Sequence, residues 1–148
     1  MKNILIIVAL LVSGCVSGDK FVPGEKKAVL DIQIEGLKEN AGVLMVAMYH
    51  TDQNFTKNVY PVTAVSRRVS GSVMKITLHG KFIPGVYGIA VFHDENGNKT
   101  MDLSPAGMPL EGFGFSNNPS LAKGKPGWKD VSFEINENKQ INIRALYP

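Results

Sequence analysis

The sequence predicts an all-β domain, an antiparallel sandwich of two sheets with about seven strands. Three observations carry this prediction. Short apolar runs recur with a period near two, the signature of strands with one buried face. Turn residues separate the runs, with 15 Gly and 8 Pro in 148 residues. No stretch repeats apolar residues at helical spacing for long enough to form a convincing helix. A small closed barrel is the alternative that the same elements allow. The length suits one domain, and neither an internal repeat nor a second domain is visible.

Leu30, Ile32 and Ile34 alternate with Asp31, Gln33 and Glu35, so the first strand buries one face. Residues 36–42 begin and end in glycine and form a turn. Residues 43–49, VLMVAMY, are apolar at every position, which predicts a central strand covered on both faces. Residues 62–69 form a weaker strand carrying Arg67 and Arg68, and Ser70-Gly71 turns the chain. Met74, Ile76 and Leu78 alternate with Lys75, Thr77 and His79. Pro84-Gly85 marks the next turn. Residues 86–92, VYGIAVF, are again apolar on both faces. Val131, Phe133 and Ile135 alternate with polar neighbours, residues 136–139 make a hairpin-like turn, and Ile141, Ile143 and Ala145 form the last alternating run. The expected core contains Ile32, Ile34, Leu44, Val46, Ile76, Ile89, Val91, Phe133 and Ile143.

Residues 1–14 read as a leader that precedes the fold. Lys2 gives a basic start, and residues 4–12 are nine apolar residues in a row. That is half of the roughly 18 that a membrane-crossing helix needs, and it matches the apolar stretch of a secretory signal. The run ends in Val12-Ser13-Gly14-Cys15, which looks like a bacterial lipobox. The two small residues admit the signal peptidase, and the cysteine thiol accepts a diacylglycerol. The chain's single Cys stands at the one place this requires. An ordinary signal peptide ending beside an incidental cysteine is the alternative. Residues 15–27, with Gly18, Pro23 and Gly24, are then a lipidated tether, and residues 28–148 are the domain. Two or more acyl chains hold a protein durably to a membrane, where one is marginal. Val16 stands where an Asp would favour inner-membrane retention, so the expected place is the outer membrane of the cell envelope, facing the periplasm or the surface.

Composition narrows the function classes. Hydrophobic residues are 44% and charged residues 20%, which excludes a disordered tail or a collagen-like fibre. One Cys excludes an intrachain disulfide and a multi-cysteine zinc site. After loss of residues 1–14 the remaining 134 carry 15 Lys and Arg against 13 Asp and Glu. So small an excess does not mark a nucleic-acid binder, and no nucleic-acid partner is expected.

Residues 94–130 break the strand rhythm. They hold six of the 15 Gly and four of the 8 Pro. Loops beyond about 15 residues are uncommon in compact domains and are often functional, so a site is expected here. The same region carries a family resemblance. Residues 83–98, IPGVYGIAVFHDENGN, and Glu111-Gly112-Phe113-Gly114-Phe115-Ser116-Asn117-Asn118, with the earlier GVLMVAMY at 42–49, resemble the family catalogued as domain of unknown function 2141. The resemblance covers roughly residues 28–147. It implies an exported bacterial protein with an immunoglobulin-like or transthyretin-like sandwich, and it implies no particular reaction. Family members often place a second glycine where this chain has Lys99.

Asp94, Asn96, Asn98, Thr100 and Asp102 fall at positions 1, 3, 5, 7 and 9 of a calcium loop, which would wrap alternate oxygens around a hard cation. Lys99 replaces the glycine of position 6, and Pro105 replaces the bidentate carboxylate of position 12. Glu95 or Glu111 would have to supply the missing charge. Calcium is the cofactor this spacing would take, with an affinity on the order of 10⁻⁴–10⁻³ M. A plain Asn96-Gly97 turn held by Asx hydrogen bonds explains the same residues without a metal.

The chain has no Gly-x-Ser-x-Gly elbow and no His-Glu-x-x-His pair. His50 and His93 each end a predicted central strand. If they met at one rim beside Asp94, they would make an acid–base or metal pair. Phe113 and Phe115, spaced by glycines, put two aromatics in a flexible loop, and Trp128 follows in the same segment. These three either form a ligand surface or pack over an open end of the sandwich. Arg67, Arg68, Lys123, Lys125 and Lys129 are expected in solvent, or against lipid headgroups or an acidic glycan. The function expected from all this is a membrane-anchored envelope module that binds or scaffolds a protein, peptide or glycan. The alternative is a small envelope hydrolase or metal-dependent enzyme using His93, Asp94 and His50.

Overall fold

A computed structural model describes residues 26–38 and 42–148. Cys15, the leader and most of the tether lie outside the described residues. Eight strands and two short helices follow in the order β1 (Lys26–Glu35), β2 (Val43–Tyr49), α1 (Asp52–Lys57), β3 (Thr63–Arg68), β4 (Val73–Phe82), β5 (Gly85–Asp94), β6 (Gly112–Phe115), α2 (Trp128–Val131), β7 (Ser132–Ile135) and β8 (Lys139–Arg144). They form two sheets, so the all-β sandwich expected from the alternation is the observed class. The smaller sheet has the order β4-β1-β8. The larger has the order β3-β2-β5-β6, with β7 also on β5. Strands β6 and β7 share one edge of β5, opposite residues 90–93 and 85–88 respectively.

Two details depart from expectation. Residues 136–139 do not close a hairpin, because β7 pairs with β5 and β8 pairs with β1 in the other sheet. The chain crosses between sheets there, and β8 arrives parallel to β1, with Ile141 opposite Ile32 and Ile143 opposite Ile34. All other pairs are antiparallel. A tight hairpin can join only antiparallel neighbours, so a parallel pair has to be closed by a longer route. The second detail is α1. Thr51 Oγ1 accepts from Asn54 N–H at 3.2 Å, Asp52 lies in the first turn and Asn58 ends the helix at φ 53°. Six residues are too few to display a helical period in the sequence.

Between the sheets, Leu30, Ile32 and Ile34 of β1 join Leu44, Val46 and Met48 of β2 and Tyr87, Ile89 and Val91 of β5 in one core cluster. Ile76, Ile135 and Ile143 belong to it, and Phe133 packs against it half-buried. The strands that read as apolar on both faces are interior, β2 between β3 and β5 and β5 between β2 and the β6/β7 edge. Their second apolar face is not wasted. Met45, Ala47, Tyr49 and Phe92 are buried on the outer side of the larger sheet. Two smaller clusters form there, one around Tyr49, Phe55 and Val131, the other around Met45, Phe92 and Met101.

The segment 94–130 supplies that cover. It is not structureless, since it contains β6 and α2 and is tied by a bridge between Leu103 and Pro109. Phe113 and Phe115 are therefore strand residues, opposite Phe92 and Ala90. Their intervening glycines serve close approach, not flexibility. A Cβ on Gly114 would lie 2.6 Å from the Arg144 carbonyl oxygen, and one on Gly112 would lie 2.4 Å from the Tyr147 ring. Glycine alone lets the C-terminal segment cross here.

Candidate functional site

A cavity of about 240 Å³ lies on the outer face of the larger sheet. Strand β2 contributes Met45, Ala47 and Tyr49, β5 contributes Ala90 and Phe92, and β6 contributes Phe113 and Phe115. The covering segment contributes Met101, Leu103 and Met108. Met108 is 62% exposed, so the cavity wall reaches solvent there. Lining residues come from both outer clusters, and the cavity lies where their side chains stop short of filling the space between sheet and cover. Small Ala47 and Ala90 on the floor leave room that larger side chains would take.

Three polar groups gather at the C-terminal end of α1. Tyr49 donates its hydroxyl to Asn58 Oδ1. Burial pushes the Tyr49 phenol up to about 12, so it stays protonated and keeps that bond. Asn58 lines the cavity, and its Nδ2 is buried with no hydrogen-bond partner among the described residues. An orphaned buried donor costs about 1–3 kcal/mol. Lys125 also lines the cavity. Its Nζ donates to the Phe55 and Thr56 carbonyls at 3.3 Å each and stands 5.0 Å from the Phe55 ring centroid. The Phe55 carbonyl also accepts from the Asn58 backbone N–H at 3.1 Å, so Asn58 and Lys125 share this one acceptor. Burial lowers the Lys125 pKa. Among the described residues the only ion pair joins Lys38 to Glu95 at 3.0 Å, so Lys125 has no carboxylate partner there. Lys125 is exposed, as expected, while its Nζ reaches back to the Phe55 and Thr56 carbonyls.

The loop 94–102 curls as turn chemistry predicts. Asp94 is buried, and its Oδ1 and Oδ2 accept from Gly97 N–H at 2.8 Å and Lys99 N–H at 2.9 Å. Asn96 and Asn98 direct Nδ2 to the Asp102 carboxylate at 2.5 Å and 3.1 Å. Asn98 Oδ1 accepts from Thr100 N–H and Oγ1. Buried Glu111 accepts from Glu95 N–H at 2.9 Å and Asp102 N–H at 3.0 Å, closing the turn from across the segment. Lys99 sits at φ 65°, in the left-handed region that favours glycine. The carboxylates thus bind the loop's own amides, and among the described residues no group of three or more His, Cys, Asp and Glu is disposed to hold a metal. A cation would need Asn96 and Asn98 to turn their carbonyls inward and Asp94 to release its amides.

The histidines do not meet. His93 lies opposite Leu44, whereas His50 follows Tyr49 at the other end of β2. Six residues of strand separate those ends by about 20 Å. His93 is buried and its Nδ1 lies 2.5 Å from the Tyr147 hydroxyl, which itself accepts from Lys38 N–H at 3.0 Å. His50 Nδ1 is 2.9 Å from the Val86 carbonyl, and its ring stacks on Tyr87 at 4.6 Å. Trp128 packs over Gly88 and lies 5.9 Å from Phe55, beside the cavity but not among its lining residues.

The polar part of the motif at 112–118 is a latch. Ser116 Oγ donates to the Val131 carbonyl and accepts from Ile89 N–H. Asn117 Nδ2 reaches the Asp130 and Ser132 carbonyls, and Asn118 binds the Asn142 carbonyl and Arg144 N–H. Asn117 and Asn118 both have positive φ, which asparagine tolerates. Tyr49 ends the apolar run 42–49 and Glu111 opens the run 111–118, whereas Asn58 and Lys125 stand in neither, and only folding gives the four their partners.

A family model described as "Uncharacterized protein conserved in bacteria (DUF2141)" matches residues 32–143. No curated protein and no solved structure matches the chain.

Proposed function

The chain belongs to the DUF2141 family of uncharacterized proteins conserved in bacteria, and from that premise we propose a lipid-anchored protein of the cell envelope whose β-sandwich is a binding module for a small apolar ligand. The observation that carries the binding role is the cavity of about 240 Å³ between the larger sheet and its cover. Natural interiors seldom leave such a void, and one lined by Met45, Phe92, Met101 and Phe113 favours an apolar guest. An apolar cavity of about 150 Å³ accepts benzene, so this one suits a guest of about nine or ten non-hydrogen atoms. Anchoring rests on the lipobox at Cys15. Among the described residues no helix is long and apolar enough to cross a membrane.

The test uses the full chain in lipid nanodiscs with ¹³C-labelled methionine methyls, titrated with 1-octanol as a neutral probe. Met45, Met101 and Met108 line the cavity, whereas Met48 is in the main core and Met74 packs against it. The first three resonances are expected to shift saturably and the other two to stay. Ala90→Leu should fill the cavity, abolish the shifts and raise stability by about 0.5–2 kcal/mol. Equal shifts in the variant, or no shift in the parent, would overturn the binding role.

The loop 94–102 serves in this proposal as a brace for the cover. Asp94→Ala removes the acceptor of two loop amides and should cost about 1–3 kcal/mol in thermal or denaturant melts. A weak structural calcium ion would add to the brace. Millimolar calcium would then raise the melting temperature of the parent but not of Asp94→Ala. No shift, or the same shift in both, leaves the hydrogen-bonded turn alone.

A further inference from the structure

We propose that the cavity selects a small monocarboxylate with an apolar body, its carboxylate held by Lys125 Nζ and Asn58 Nδ2 at the end of α1. This rests on the binding role proposed above and adds the chemical class of the guest. The cavity is one-ended in polarity. Met45, Phe92, Met101 and Phe113 surround one part, and none carries a hydrogen-bonding group that an alkyl or aryl body would leave unpaired. Where Asn58 and Lys125 line it, the wall instead carries side-chain donors.

Both donors have unused capacity. Asn58 Nδ2 is buried without a partner, and the Tyr49 hydroxyl on Oδ1 leaves the amide nitrogen as the group that still needs one. Lys125 uses two donors on the carbonyls of Phe55 and Thr56 and has a third to spare. Those carbonyls bring partial negative charge only, so the ammonium, on an exposed residue of the cavity wall, has no full counter-charge among the described residues. A carboxylate satisfies both groups at once, accepting from each and neutralising the ammonium. An alcohol of equal length can accept from these groups but brings no charge to the ammonium, and an alkane satisfies neither. Charge-assisted hydrogen bonds are roughly twice as strong as neutral ones, so the anionic headgroup is the discriminating feature. The estimate of nine or ten non-hydrogen atoms matches octanoate in size.

The experiment compares sodium octanoate with 1-octanol on the full chain in nanodiscs at neutral pH, read on the methyls of Met45, Met101 and Met108. Octanoate is expected to bind on the order of tenfold tighter than octanol, a difference of about 1.4 kcal/mol. Lys125→Met should abolish the preference for octanoate over octanol. Lys125→Arg should retain the preference. Unmoved resonances of Met48 and Met74 report that each variant is folded. If octanol binds and octanoate binds no better, the selectivity is refuted and the apolar site stands, with a water satisfying Asn58. If neither probe moves the three methyls, both the selectivity and the binding role fall. A preference that survives Lys125→Met with the fold intact also refutes the assignment.

Discussion

Ile89→Ala is expected to lower the free energy of unfolding by about 2–5 kcal/mol. Ile89 has no exposed surface and lies on the inner face of β5, opposite Met48. Strand β5 is the one on which β2, β6 and β7 all pair, so its inner face is at the middle of the core. The substitution removes three carbons and leaves a void that cannot close. The backbone around it is pinned, since Ile89 N–H donates to Ser116 Oγ and its carbonyl accepts from Ser116 N–H. Relaxation is therefore restricted and the loss should fall in the upper part of the range. Set against a total stability of about 5–15 kcal/mol, this is a large fraction, and the melting temperature should drop by roughly 10 °C. Lys75→Ala, at an exposed place on β4, should stay within about 0.5 kcal/mol. Denaturant melts of both variants decide the matter, and a loss below about 1 kcal/mol at Ile89 would contradict the packing described.

Cys15→Ser is expected to abolish stable membrane attachment. In the proposed lipoprotein, the apolar run at 4–12 is too short to span a bilayer, so retention depends on acyl chains carried by the cysteine sulfur. Each buried methylene contributes about 0.8 kcal/mol, and two chains turn a marginal attachment into a lasting one. A serine hydroxyl cannot take the lipid at this step. The parent should therefore fractionate with membranes after a high-salt wash and yield a lipid-modified peptide beginning at Cys15. The variant should accumulate with the mass of the uncleaved chain. An unmodified parent released into the soluble fraction, or a variant cleaved and retained like the parent, would remove the anchor from the proposal.

The sequence by itself determined the class of fold and most of its core. Alternation exposes one face of a strand to a sheet interior, and that periodicity is local, so Ile32, Ile34, Ile76 and Ile143 could be assigned inward from their neighbours alone. Runs without alternation identified β2 and β5 as interior strands, because only cover on both sides accounts for seven consecutive apolar residues. The Asp and Asn residues of 94–102 read correctly as a curled turn, since Asx bonds span only two to five residues.

Tertiary structure alone decided what depends on contacts distant in sequence. The parallel approach of β8 to β1 rests on pairing across more than a hundred residues, and no local pattern distinguishes it from a hairpin with β7. The glycines at 112 and 114 read as flexibility until the Arg144 carbonyl and the Tyr147 ring are seen to occupy the space of their missing side chains. His50 and His93 both end strands, but antiparallel pairing sends those ends to opposite rims. The cavity is the extreme case. Its polar end needs Tyr49 from β2, Asn58 from the end of α1 and Lys125 from the covering segment. No local pattern marks the three as one site, because a binding site of this kind is made by packing a cover onto a sheet, and its chemistry exists only once the two are in contact.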